Sequence, residues 1–551
     1  MPYRRRSATH AIAASLITAL VVVGSVVPVR GADERPNIVT VLADDAGIDI
    51  GSRRELFVDR HLIERLDGAR LELEEPRDEG EVLRFDAPWE GAFSGYATVI
   101  RDGETLRLYY RGLPEAGADG SAAESTCYAQ STDGAHWTKP ELGLFDYRGS
   151  RANNIVLAGA APSSHNFSPF LDARPGVPDD QRFKALGGTS ASGLIGWVSA
   201  DGVGWRRLRE EPVFRDQGWV FDSQNVAFWS EHENCYVLYY RRSPNGIRAI
   251  ARTTSDDFLS WSAPVQMRYS DTGSERPSQH LYTSQTHPYF RAPHIYVATA
   301  ARFLPGRRVL SDEEAAAIGV HPRYFGDTSD SVLLTTRGGD LYDRSFLGAL
   351  IKPGIGARNW VSRTGYPALG VVASGEHEMS LYANQDYGQP TAHLHRYSLR
   401  LDGFASLSAP FEGGELLTRP LRFAGARLTI NFATSAAGSI RVEMQDAAGQ
   451  PLPGYALADS IETIGNEIER AVRWTSGADV AALAGRTVRL RFVMRDAKLF
   501  AMRFAPLGSG SRRIAPDSLQ RRESTQRSGS SVGSLPASGN GAGGTRPPRK
   551  R

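Results

Sequence analysis

One short turn recurs along the middle of this 551-residue chain and constrains its fold more than any other feature. Ser131-Thr132-Asp133-Gly134-Ala135-His136-Trp137 is echoed by Ser199-Ala200-Asp201-Gly202-Val203-Gly204-Trp205. A looser copy is Thr254-Ser255-Asp256-Asp257-Phe258-Leu259-Ser260-Trp261, and a degenerate one is Thr336-Arg337-Gly338-Gly339-Asp340-Leu341-Tyr342. In such a turn the aspartate accepts backbone N–H bonds, the glycine takes a positive φ, and the aromatic packs back under the strands. Copies spaced by about 55 to 80 residues have the period of four-stranded propeller blades.

The segments between the turns read as strands. Leu106-Arg107-Leu108-Tyr109-Tyr110, Tyr236-Val237-Leu238-Tyr239-Tyr240 and His294-Ile295-Tyr296-Val297-Ala298 are apolar or aromatic runs bounded by Gly, Pro, Asn and Asp. Only Asp312 to Ile318 reads as a helix, with Ser311 as its N-cap. The expectation for residues 82–405 is an all-β, five-bladed propeller. From 406 to 506 the pattern changes. Leu421–Phe423, Leu428–Phe432, Ser439–Met444 and Val488–Val493 alternate apolar with polar residues, which suits a half-buried sheet and predicts a β-sandwich. Residues 507–551 are Ser, Gly, Arg and Pro with almost no large apolar side chains and predict a disordered tail.

The S-x-D-G-x-x-W turns resemble those of five-bladed propeller glycoside hydrolases, the arabinanase, levansucrase and invertase class, over roughly residues 82–405. Pro140–Leu144 with Asn153–Leu157, and Phe290–Tyr296, look like segments of exported bacterial propeller proteins labelled glycosidase-like. The resemblance implies a carbohydrate substrate and no cofactor. The chain departs from the invertase pattern: it has no W-x-N-D-P-N opening, no R-D-P and no E-C, so that class's catalytic residues do not carry over.

The N-terminus reads as an export signal over residues 1–31. Arg4, Arg5 and Arg6 precede an uncharged run from Ala11 to Val27, and Val29 and Gly31 supply the residues a signal peptidase reads. Cleavage would place the mature start near Ala32 and the protein in the periplasm or outside the cell, with no stable membrane span. The alternative is an uncleaved anchor. Residues 32–81 are read as a lead-in segment. Within it, Arg35 to Gly47 resembles the opening strand of sulfatases, with Asp44 and Asp45 in the metal-binding places. No C/S-x-P/A-x-R nucleophile motif follows, so no sulfatase activity is expected. The two cysteines, Cys127 and Cys235, fall in different blades and predict buried free thiols, and no Cys/His cluster has zinc-ligand spacing. A net charge of +2, part of it from the Arg-rich tail, gives no nucleic-acid surface.

Glycosidic cleavage needs two carboxyl groups, and a propeller gathers them where its innermost strands enter the central channel. The candidate acids are Asp222, in the polar cluster Asp222-Ser223-Gln224-Asn225, and Glu90, beside Trp89, with Asp172 and Glu378 in reserve. Asp222 and Glu90 are expected to face one another across the channel mouth, Glu90 as the acid. Candidate substrate contacts are Trp89, His165, Asn225, His287, Arg291 and Arg363, with Arg291 and Arg302 suited to an anionic sugar. No metal ligand set is expected. The alternatives are a non-catalytic glycan- or surface-binding propeller and, more remotely, a sulfatase-related protein without its nucleophile.

Overall fold

A computed structural model describes residues 47–506. The export signal, the sulfatase-like segment up to Asp44 and Asp45, and the expected tail lie outside the described residues. Residues 77–400 form a five-bladed β-propeller. The innermost strands are Gly95–Asp102, Ser168–Leu171, Val226–Ser230, His280–Tyr289 and Tyr366–Pro367. Each touches the next, and the fifth returns to the first, where Val99 N–H donates to Leu369 O at 2.7 Å.

The ring closes through a strand that pattern reading leaves out. Arg77–Arg84 pairs antiparallel with His393–Arg400 as the outermost strand of blade five, so residues some three hundred positions apart share one ladder. Its sequence, RDEGEVLR, is largely exposed and lacks a clean period-2 signature because only its inner edge meets the fold. Closure leaves no long unpaired edge at the junction.

The recurrent turn occupies one place in each of blades one to four, between the third and fourth strands. Ser131 Oγ accepts from Gly134 N–H at 2.9 Å, and Asp133 Oδ1 from Ala135 and His136 N–H at 2.9 Å. Ser199 and Asp201 repeat this geometry, and so do Ser255 and Asp257. Trp137 and Trp205 each return an indole N–H to the glycine carbonyl at 3.1 Å. That carbonyl also locks neighbouring blades together. Tyr382 of blade five donates to Gly134 O at 2.9 Å, and Tyr109 of blade one to Gly202 O at 2.8 Å. The glycines are required twice over: φ is +78° and +77°, and an added Cβ would lie 2.5 Å from those tyrosine oxygens.

The expected second domain is a ten-stranded sheet around one core that includes Trp474, Phe432 and Phe492. Two runs expected as separate strands fall in one 20-residue strand, Arg427–Asp446, paired along its length with the 18-residue Val488–Ala505. Register shifts near Thr434 let the pair bend without breaking. The segment read as a lead-in is structural: Ile48–Gly51, Arg54–Leu56, Ile63–Asp67 and Arg70–Leu73 are all strands of this sheet. Leu56 and Val58 also pack with Ile295, Met379 and Phe404, joining the sheet to blades four and five. At the same seam Glu55 bonds Arg337 at 2.7 Å and His294 at 2.9 Å.

Ser311 caps a helix at Asp312–Ala317, and Glu314 completes a capping box. Both cysteines are free. Cys127 is buried, but Cys235 is only half-buried, because it begins its strand beside a turn.

Two predictions follow from this packing. Gly134→Ala and Gly202→Ala each force a Cβ into left-handed backbone against a neighbouring blade, and are expected to cost about 2 to 4 kcal/mol. Tyr382→Phe, which loses one bond, is expected to cost about 1 kcal/mol; chemical denaturation compares them. Separately, Glu55 is buried, which opposes its ionisation, but Arg337 and His294 outweigh that and bring its pKa from 4.5 down to about 2. A depressed carboxyl contributes fully above its ordinary value and loses its contribution as pH falls through about 2. The stability gap between wild type and Glu55→Gln should therefore narrow by about 3 kcal/mol between pH 5 and pH 2, read from acid-dependent urea unfolding.

Candidate functional site

Polar side chains converge where the innermost strands begin. Blade one contributes Tyr96, blade two His165 and Asn166, blade three Asp222 to Asn225, blade four Tyr282 and Gln285, and blade five Arg363 and Tyr366. Four of these entries carry a non-glycine residue at positive φ: Tyr96 at 50°, Asn166 at 51°, Phe221 at 62° and Arg363 at 61°. Such backbone costs on the order of 1 to 3 kcal/mol per residue and clusters at sites where function demands it.

The floor is a pair of glutamines. Gln285 Nε2 donates to Gln224 Oε1 at 2.5 Å and to Pro367 O at 3.0 Å, while Gln224 Nε2 donates to Thr98 Oγ1 at 3.0 Å. These bonds tie blades one, three, four and five and bar the channel. Above them the cleft lined by Tyr96, Gln224, Gln285, Arg363, Tyr366 and Tyr387 leaves about 10 Å³, the space of roughly one water. The rim is open: Trp219 is 53% exposed, and the side chains of Asp222 and Asp119 are 39% and 31% exposed.

Arginines bind this site together. Arg241, buried at the end of the second strand of blade three, pairs with Asp222. Arg111, its counterpart in blade one, pairs with Asp119 at 2.7 Å and lies 4.6 Å over the Tyr96 ring. Arg111 and Arg363 both donate to Tyr387 Oη, at 3.3 and 3.1 Å. Arg241, Arg248 and Arg363 all face the Tyr282 ring, at 4.6, 4.9 and 5.6 Å. Burial opposes ionisation of the Tyr282 hydroxyl, but Arg363 and Arg241 outweigh it and bring the group below its ordinary value. Burial likewise opposes Asp119, and Arg111 with Arg363 holds it low. Glu124, from the same loop, is buried against His165 Nδ1 at 2.8 Å. Several buried polar atoms around the site have no partner: Arg111 Nε, Asn166 Oδ1, Ser223 Oγ, Asn225 Oδ1, Arg248 Nε and Tyr366 Oη. Groups of this kind call for a partner outside the protein, water or ligand.

Of the residues expected from sequence, Asp222, His165, Asn225 and Arg363 meet here. Glu90 does not face Asp222. It is fully buried between blades one and five, accepting from Tyr110 at 2.6 Å and from Lys139 at 2.7 Å, with Trp89 bonded to Asn154 beside it. Its aromatic neighbours belong to blade packing, which the sequence motif alone does not distinguish from a sugar subsite. Asp172 lies at the opposite, exit end of the channel, held by Lys184 at 2.5 Å and Tyr236 at 2.7 Å. Glu378 begins the second strand of blade five, which starts at the exit end because it runs antiparallel, and pairs with Arg396 and Arg77. His287 also sits towards the exit: its Nε2 accepts from Val371 N–H at 3.1 Å, so Nδ1 carries the proton donated to Gln285 O at 2.7 Å. Burial lowers its pKa. Arg291 pairs with Asp402 at 3.3 Å near the seam, and Arg302 pairs with Asp330.

The larger cavity, 490 Å³, is at that exit end and is lined mostly by apolar side chains such as Phe170, Val226, Phe228 and Val371. Glu231 is the one carboxylate among its lining residues. Sequence reading passed over Arg111, Asp119, Glu124, Arg241, Arg248 and Tyr282. One signal was present: Leu108-Tyr109-Tyr110-Arg111 recurs as Leu238-Tyr239-Tyr240-Arg241, placing an arginine at the same strand end in two blades. No group of three or more His, Cys, Asp or Glu suited to a metal ion occurs among the described residues.

No protein-family model and no curated protein matches the chain. Among solved structures, similarity extends to an N-acetylgalactosamine deacetylase from F. plautii in complex with blood group B trisaccharide, at 12% identity and a TM-score of 0.38, covering 61% of this chain and 96% of that one. A glycosyl hydrolase from Bacteroides ovatus matches at 13% identity and 0.34, covering 61% and 96%. A fructofuranosidase from Schwanniomyces occidentalis complexed with fructosylnystose matches at 11% and 0.35, covering 77% and 97%. Likenesses of this depth do not fix an activity.

The Tyr282 environment is directly measurable. Alkaline difference spectroscopy is expected to show one phenolate forming below the ordinary tyrosine value of 10, well ahead of buried residues such as Tyr110 and Tyr239, whose burial raises them. Tyr282→Phe keeps the ring and should abolish that early step.

Proposed function

We propose that this protein is a glycoside hydrolase acting on a carbohydrate at the entry end of its propeller channel, with Asp222 and Asp119 as the reacting carboxyl pair. The observation that carries the reading is the placement of these two acids about Tyr96. Asp119 is anchored by the arginine stacked on the Tyr96 ring, and the charge of Asp222 acts on the Tyr96 hydroxyl from blade three. They are the two carboxylates of the cluster whose side chains reach solvent, since Glu124 is buried against His165. The chemistry needs one carboxyl to protonate the leaving oxygen and one to attack or to activate water. Asp119, held ionised by Arg111, suits the second role. Trp219 on the rim supplies an exposed aromatic face of the kind on which sugar rings stack, and the narrow floor suits a chain end rather than a threaded polymer. Action outside the cytoplasm accords with the N-terminal sequence.

One observation favours a non-catalytic, glycan-binding propeller instead: each carboxylate carries an arginine partner, which favours ionised acids over a proton donor. Turnover separates the two readings. Once a cleaved glycan is identified from a panel, Asp222→Asn and Asp119→Asn are each expected to lower kcat by roughly 10²- to 10⁴-fold while preserving the fold. Each should also remove one limb of the pH–rate profile, assigning donor and base. Near-wild-type turnover in either variant would reject that residue, and glycan binding without any cleavage would establish the binding reading.

A further inference from the structure

The charges of the entry site do not balance. Arg241 is matched by Asp222 and Arg111 by Asp119, while Glu124 is bonded to the His165 ring. Arg248 and Arg363 have no carboxylate within ion-pair distance among the described residues. Arg363 is satisfied by one tyrosine hydroxyl, Tyr387, and by the faces of Tyr282, Tyr324 and Tyr387. Arg248 lies against Trp219, Tyr282 and Phe303, touches the ring nitrogen of His280 at 3.4 Å, and leaves its buried Nε without a partner. Aromatic faces attract a cation, but they do not neutralise it. Two guanidinium groups held partly out of water around one tyrosine are therefore an expensive arrangement unless an anion completes it.

We infer that the entry site takes an acidic sugar, one whose carboxylate is received by Arg248 and Arg363 across Tyr282. The inference rests on the reading of this end of the channel as a glycan site. A guanidinium fork matches a planar carboxylate through paired N–H donors, and among the described residues no protein carboxylate takes the donors of Arg248 or Arg363, whose hydrogen bonds go to His280 and Tyr387. Trp219, which Arg248 and Arg241 both face, links this contact to Asp222, the ion-pair partner of Arg241. A neutral sugar in the same place gives neither arginine a carboxylate partner, so the site discriminates by charge.

The test uses the full-length protein and glucuronate- and galacturonate-bearing oligosaccharides, each as free acid and as methyl ester, with sulfated and neutral oligosaccharides alongside. Calorimetric titration at low and high salt reads the affinity. The free acids are expected to bind at least about tenfold more tightly than their esters, with an affinity that falls as salt rises. Arg363→Met and Arg248→Met are each expected to remove most of that preference, near-ultraviolet circular dichroism confirming an intact fold. Equal binding of acid and ester, or an unchanged acid preference in both variants, overturns the inference. Tighter binding of sulfated than of uronate ligands overturns the carboxylate assignment. Acid-dependent binding without cleavage would sink the hydrolase reading and leave this one standing. Cleavage of a neutral glycan indifferent to both arginines would do the reverse.

Discussion

Closure of the ring of five innermost strands is the constraint on which the rest of the molecule depends. Each blade buries its faces only against its neighbours, so a ring with one open junction would expose two sheets at once. The junction is sealed by Arg77–Arg84 zipped onto His393–Arg400, a pairing across nearly the whole propeller sequence. The recurrent turns serve the same end. Their glycine carbonyls receive tyrosine hydroxyls from the preceding blade, so a local motif becomes an inter-blade lock.

A closed ring brings five strand starts to one point, and that crowding explains the site. Backbone at positive φ before or within the innermost strands turns the chain sharply inward in four blades. The glutamine bridge then bars the channel, so the polar entry and the apolar exit are separate environments. On the entry side the low-dielectric walls of tyrosine and phenylalanine strengthen every charge interaction, and the arginines consequently set the ionisation of Tyr282 and Asp119.

The second sheet is integral to this closure. Its N-terminal strands run directly into the closing strand of blade five, and its C-terminal strands return beside them. The buried Glu55–Arg337 pair and the Asp402 cluster with Arg54, Arg291, Tyr289 and Asn431 fill the seam with paired polar groups. A seam built this way is specific in register, because removing any one partner strands another charge in the interior.

By itself, the sequence determined the all-β class, the blade repeat and the capped helix, because turn chemistry and strand periodicity are local properties carried by adjacent residues. It also marked Asp222, Asn225, His165 and Arg363 as polar residues at strand starts, since each lies next to the apolar run it introduces. Tertiary structure alone decided which acids share a site. Glu90, and Asp172 in reserve, also qualify in sequence, but lysine and tyrosine partners from elsewhere in the chain bind them into blade packing. Asp119 sits in an unremarkable loop until closure sets it beside Arg111 and Tyr96. The closing strand escaped pattern reading for the same reason: pairing between residues some three hundred positions apart is a property of the ring and leaves little trace in either partner's own sequence.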